Sequence, residues 1–147
     1  MEIERKWLIR TVPSDLEKYP HHIIEQGYLN TTPVVRVRRQ DDDYIFTYKG
    51  GGMMAREEYN LPLDAESYAH LIAKADGKII SKVRYVIPLE DGLKIELDHF
   101  SSPIKGLYLA EIEFESVEQA EAYVPPAWFG EDVTYDARYH NSVMSKM

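Results

Sequence analysis

Charged residues recur at every second position along this chain, and that spacing limits what it can fold into. Successive side chains of a strand point to opposite faces, so residues two apart share one. Glu2, Glu4 and Lys6 fall on one side of the N-terminal stretch, with Ile3, Arg5, Trp7 and Ile9 on the other. The pattern returns in Arg36 and Arg38, Thr47 and Lys49, Arg56 and Glu58, Lys82 and Arg84, Glu96 and Asp98, and Glu111, Glu113 and Glu115. The opposite faces carry Val35 and Val37, Phe46 and Tyr48, Val83 and Tyr85, Ile95 and Leu97, and Ile112 and Phe114.

Turn chemistry divides the chain into about eight strands joined mainly by hairpins, hence an antiparallel sheet. The strands are expected at the N-terminus, then at Ile23 to Asn30, Val34 to Gln40, Tyr44 to Lys49, Met53 to Leu61, Lys78 to Leu89, Leu93 to Phe100 and Leu107 to Glu115. Asp64 to Ala75 predicts a helix capped by Asp64, and Ser116 opens another to about Tyr123. Thr11 to Pro20 reads as a connection with a helical turn, and the tail ends in a short helix from about Asp136. A sheet with one face in water would also alternate. An exposed face, however, ordinarily mixes Thr, Ser, Gln and Lys, whereas here Arg-x-Arg, Lys-x-Arg and Glu-x-Glu pairs are sorted by sign. Closing the sheet with that face inward gives a mainly β (α+β) fold, a barrel around a hydrated, charged tunnel, with the apolar face packed on two helices.

The 147 residues suit a single domain, 1–147. With 17 basic against 25 acidic residues the formal charge is −8, which disfavours non-specific nucleic-acid binding. The absence of cysteine excludes disulfides, thiolate catalysis and Cys-ligated metals. No signal peptide or long apolar run is present, so a cytoplasmic protein with no membrane partner is expected. An exposed apolar strip would suit a homodimer.

The acidic set (Glu2, Glu4, Glu96, Asp98, Glu111, Glu113) offers oxygen alone, as hard cations such as Mg2+ or Mn2+ require. The five histidines lack metal spacing. The basic set (Lys6, Arg36, Arg38, Lys49, Arg56, Lys82, Arg84) suits a polyanion, since arginine forks grip phosphate oxygens bidentately. Mutual salt bridging would instead bury many ion pairs at a desolvation cost often larger than their attraction. Gly50-Gly51-Gly52 lacks the Gly-Lys-Ser/Thr of a P-loop and reads as a hairpin turn, and no Gly-x-Ser-x-Gly turn accompanies His99.

These motifs, in register, resemble the CYTH superfamily of triphosphate tunnel metalloenzymes. Glu2-x-Glu4-x-Lys6 is similar to its N-terminal signature. Gln26-Gly27-Tyr28-Leu29, Arg36-x-Arg38, Thr47-x-Lys49, Arg56-Glu57-Glu58, Lys82-x-Arg84, Glu96-Leu97-Asp98, Glu111-x-Glu113 and Asp136-x-Arg138-Tyr139 follow in order. The resemblance implies an eight-stranded antiparallel β-barrel and metal-dependent hydrolysis or cyclisation of a small-molecule triphosphate. By motif, Glu2, Glu4, Asp98, Glu111 and Glu113 would hold Mg2+ or Mn2+, with Glu96 assisting. Lys6, Arg36, Arg38, Lys49, Arg56, Lys82 and Arg84 would bind phosphates, and Arg138 would close the mouth. Glu2 or Glu113 would position the attacking water. Tyr28 either orients the Lys82 ammonium near the leaving oxygen or is a packed strand aromatic. Inorganic tripolyphosphate is the expected substrate, cleaved to pyrophosphate and orthophosphate. Thiamine triphosphate, nucleoside triphosphates, adenylate cyclisation or a non-catalytic phosphate sensor are the alternatives.

Overall fold

Alternating patterns need a partner on both edges, and the computed structural model, which describes residues 1–147, provides one by bending the sheet round on itself. The strands are β1 (Glu2–Ile9), β2 (His21–Thr31), β3 (Val34–Gln40), β4 (Asp43–Lys49), β5 (Ala55–Arg56), β6 (Glu58–Leu63), β7 (Asp76–Pro88), β8 (Lys94–Ser102), β9 (Tyr108–Glu113) and β10 (Phe129–Asp132). Their order is β10-β1-β9-β8-β7-β2-β3-β4-β6, all antiparallel, with β5 paired to β1. The stretch expected as one strand from Met53 is broken at Glu57. Its first part crosses to β1 (Glu2 opposite Arg56) and its second stays on β4 (Lys49 opposite Glu58). Counted as one broken stave, β5 and β6 complete an eight-stave barrel, the expected architecture. Strand β10 was not foreseen, because four residues after a Pro-Pro break carry no alternation; it runs beside β1, with Trp7 opposite Asp132.

The outward hydrocarbon packs in two places. Helix α2 (Val117–Ala122), capped by Ser116, and β10 cover Trp7, Leu97, Ala110, Ile112 and Phe114. Arg5, outward on β1, secures that layer. Its guanidinium donates to the carbonyls of Ala120 (2.8 Å) and Tyr123 (3.0 Å) and to Asp132 (2.7 Å). Helix α1 (Ala65–Ile72) lies across β2, β3 and β4, started by Asp64, which accepts from the Ser67 amide at 2.6 Å. It stops three residues short of expectation, because the chain must turn to bring Asp76 opposite Tyr28 in β7. At this crossing Gly27 is required: a Cβ there would stand 2.8 Å from that of Ala75.

Inside, the lining changes along the barrel from charge to hydrocarbon. Tyr28, Val34, Ile80, Phe100 and Leu109 form one buried cluster with Val133 and Met144 of the tail. The tail follows β1, with the Val133 amide on the Lys6 carbonyl. It turns through a 3-10 segment (Ala137–Tyr139) and ends in α3 (Asn141–Met144), so the helix expected from Asp136 is split in two. Met144 is wholly buried in the cluster, and the Ser145 carbonyl accepts from the Lys78 amide at 2.6 Å. One end of the channel is therefore filled.

Candidate active site

The strand register carries the alternate charges into a cavity of about 310 Å³. Six carboxylates (Glu2, Glu4, Glu58, Glu96, Glu111, Glu113) and seven cations (Lys6, Arg36, Arg38, Lys49, Arg56, Lys82, Arg84) line it. Tyr28, Gln40, Asn60, His140, Asn141 and Ser142 complete the polar wall. The charges are graded in depth. Lys82 and Asp98 have side chains 0% exposed, whereas Glu58 and Glu96 reach 22% and 24%. Asp98 apart, each ion-paired acid of the cavity is more exposed than the base it faces.

Ion pairs fix most of these groups. Asp98 accepts both prongs of Arg84 (2.7 and 2.9 Å) and holds Lys82 at 2.8 Å. Burial alone would raise its carboxyl, but Arg84 and Lys82 keep it below the usual range. Glu111, 3.3 Å from Lys6, is likewise held well down by Lys6, Arg84 and Lys82 against its burial. Lys49 bridges Glu2 (2.8 Å) and Glu58 (3.2 Å). Burial lowers the Lys82 ammonium to about 7, with Asp98 opposing and Arg84 and Arg38 adding to the fall.

What remains unbalanced defines the chemistry. Glu2 is raised to about 8 by burial, by its hydrogen bond with Glu58 and by the nearby Glu4. Glu4 is raised to about 7 by burial and by Glu111, and Glu113 is raised by burial with Glu58 and Glu96 facing it. Carboxylates that repel one another at the outer end call for a cation. On the basic side, Arg36 Nε is buried with no partner at all, its Nη2 reaching only Thr47 (3.2 Å). Arg38 donates to the neutral Gln26 (2.7 Å), and burial with Arg36 and Arg84 pushes it down to about 9, still charged at neutral pH. Buried guanidinium groups without counter-charge call for an anion.

Of the residues expected from sequence, two lie elsewhere. Asp98 is beneath the wall, both its oxygens engaged by Arg84 and Lys82, so it orients these bases and does not line the cavity. Arg138 does not close the mouth: its side chain is 80% exposed and is gripped by Asp136 at 2.6 Å. Tyr28 does face the cavity, but its hydroxyl accepts from Gln26 (3.1 Å), and Lys82 is bound instead by Asp98 and Asn141. Glu58, placed by alternation on one face with Arg56, is a wall residue to which the sequence pattern assigns no role. The pattern assigns none to Asn60 either, which accepts from Thr47 (2.7 Å) and donates to Glu58 (2.7 Å). No spacing rule could find the tail residues His140 to Ser142, since they reach the cavity from its filled end.

The donor set fits a hard divalent ion, being oxygen throughout, with Glu4 and Glu113 lacking a bonded cation and Glu2 sharing Lys49 with Glu58. No three acidic or imidazole groups converge on a single point. Lys49 stands between Glu2 and Glu58, and Lys6 draws Glu111 inward, so a bound ion would compete with these ammonium groups.

An antiparallel barrel enclosing anion-seeking bases and cation-seeking acids is a protein that takes up a polyanion together with metal ions. The chain matches the CYTH domain over residues 1–134 and belongs to that family. It is 40% identical to an inorganic triphosphatase of Nitrosomonas europaea, covering 98% of this chain and 96% of that one. It is 33% identical to an inorganic triphosphatase of Acetivibrio thermocellus over 84% and 80% of the two chains. A crystal structure of an inorganic triphosphatase superposes with a TM-score of 0.73 at 36% identity, covering all of this chain and 95% of that one. A Hippeastrum protein described as a putative adenylyl cyclase with dominant triphosphatase activity shares the fold, with a TM-score of 0.61 at 18% identity. No helix is long and apolar enough to cross a membrane.

Proposed function

We propose that this chain is a metal-dependent hydrolase that splits inorganic tripolyphosphate into pyrophosphate and orthophosphate inside its barrel. The observation that carries the proposal is the pair Arg36 and Arg38, enclosed and without a carboxylate partner at the centre of a basic wall. The nearly full-length likeness to two inorganic triphosphatases supports the same substrate.

Lys6, Arg36, Arg38, Lys82 and Arg84 hold the phosphate row, with Lys49 and Arg56 nearer the acids. Glu2, Glu4, Glu111 and Glu113 would hold Mg2+ or Mn2+. When bound, the ion neutralises phosphate charge and makes water a better nucleophile. Phosphoryl transfer to water needs positioning and charge stabilisation and no covalent nucleophile. Glu2 or Glu113, each with a carboxyl raised above its ordinary range by burial and neighbouring acids, would orient the water and accept its proton. Lys82, fixed by Asp98, places its remaining N–H beside the leaving oxygen.

Phosphate release would be measured for tripolyphosphate, ATP and thiamine triphosphate side by side, in Mg2+ and in Mn2+. Tripolyphosphate is expected to be the best substrate. A preference for ATP with cyclic AMP as product would overturn the assignment, and tight binding without turnover in either metal would make the protein a sensor.

A further inference from the structure

The filled end of the cavity presents two oxygens, and both are aimed at phosphate-binding lysines. The Tyr139 carbonyl accepts from Lys6 Nζ at 3.0 Å, and Asn141 Oδ1 accepts from Lys82 Nζ at 3.2 Å. Each ammonium has a carboxylate as its other partner: Glu111 at 3.3 Å for Lys6, Asp98 at 2.8 Å for Lys82. With two of three donors engaged, each lysine keeps one for the cavity. The Lys82 side chain is 0% exposed, and its ammonium lies 5.2 Å from the Phe100 ring, so nothing polar can approach it from behind. Beyond Asn141 the chain continues into Met144, sealed among Tyr28, Ile80, Phe100 and Leu109. There is neither space nor a donor for a phosphate beyond this point.

We infer that Asn141 is a specificity-determining residue: with the Tyr139 carbonyl it forms a stop against which the inner terminal phosphate rests. The inference rests on the hydrolase reading and adds the rule by which substrates are chosen. A substrate enters with an unsubstituted phosphate leading, because the filled end leaves no room for an organic group beyond the stop. The distance from stop to acids sets how many phosphates stand between them. A longer linear phosphate has to leave its surplus outside the mouth, away from the bases. The Asn141 amide is neutral, so the inner phosphate meets an N–H donor there in place of a negative charge.

Two variants test this. Asn141→Asp keeps size and the Lys82 contact but sets a negative charge against the leading phosphate. Binding of tripolyphosphate to metal-free protein, read by calorimetry, should weaken about tenfold or more, the effect of placing like charges in contact. A change below about threefold, with the variant folded by circular dichroism, would overturn the inference. Asn141→Ala opens the stop and frees a Lys82 donor. The kcat/KM for linear tetrapolyphosphate relative to tripolyphosphate should rise by about fivefold or more, and an unmoved ratio would equally overturn it. Wild-type protein that binds tripolyphosphate but never cleaves it sinks the hydrolase reading, while the calorimetric arm still decides the stop.

Discussion

Removing the negative charge of Asp98 should cost more stability than any other single change to the barrel wall. Its carboxylate is 0% exposed and compensates two enclosed cations, taking both prongs of Arg84 at 2.7 and 2.9 Å and Lys82 at 2.8 Å. Asp98→Asn preserves shape but leaves Lys82 with no carboxylate and Arg84 with only Glu96 (3.2 Å) and the distant Glu111 (4.0 Å). Stripping one partner from a buried ion pair costs about 3–5 kcal/mol. For a chain of this size each kcal/mol moves the melting point by about 3 °C, so a fall of roughly 9–15 °C is expected. Thermal denaturation at pH 6, below the Lys82 titration near 7 so that the ammonium is charged in the wild type, and in chelator, reads it directly. Adding Lys82→Met should recover part of the loss, because a neutral pair replaces a lone buried ammonium. If Asp98→Asn melts within about 2 °C of wild type, or if the double variant is less stable than the single one, the compensation argument is wrong. Mg2+ affinity provides a second check: Asp98 does not face the cavity, so the variant should bind the ion within about threefold of wild type once folded.

Arg36→Ala should weaken tripolyphosphate binding by about 10- to 100-fold, the loss of one charge-assisted fork, whereas Arg138→Ala should change it less than twofold; calorimetry at fixed salt compares them. Divalent-metal affinity should fall as pH drops from 8 to 6 and binding should release protons, because the Glu2 and Glu4 carboxyls, raised to about 8 and about 7, must ionise to become ligands. In metal-free protein the same two groups keep protons that the unfolded chain sheds near 4.5, so their contribution to stability declines as pH rises from there to 8. The depressed carboxyls of Asp98 and Glu111 act in the opposite sense and only below that window, as titration of melting temperature would show. Gly27→Ala should destabilise by about 1–3 kcal/mol in urea melts through overpacking against Ala75, with tripolyphosphate affinity retained because Gly27 faces α1, away from the cavity.

Alternation was enough to place the long strands, since a period of two assigns each charge to a face without knowledge of the partner strand. It also distinguished wall from outside: Arg36 and Arg38 turn inward while Val37 is wholly buried on the other side. Depth was not legible. Asp98 has the same parity as Glu96, yet the register sets it directly against Arg84, where its charge is consumed. Nor could the break at Glu57 be read, because the bend that sends β5 to β1 is imposed by closure of the barrel and leaves no mark on composition. The tail defeated periodicity for a simpler reason: Asn141 acts from a four-residue helix, too short to show a pattern.

The barrel has one seam. Between β6 and β1 the only strand pairing is through the two residues of β5, and Lys49 reaches across it, rooted in β4 and bonded to Glu2 on β1 and Glu58 on β6. Glu2, one of the carboxylates that would receive a metal ion, is thus also a rivet of the least stitched part of the wall. An ion that displaced Lys49 would take over its mechanical duty, so cargo and hoop strength would be coupled at a seam otherwise stitched by β5 and one ammonium.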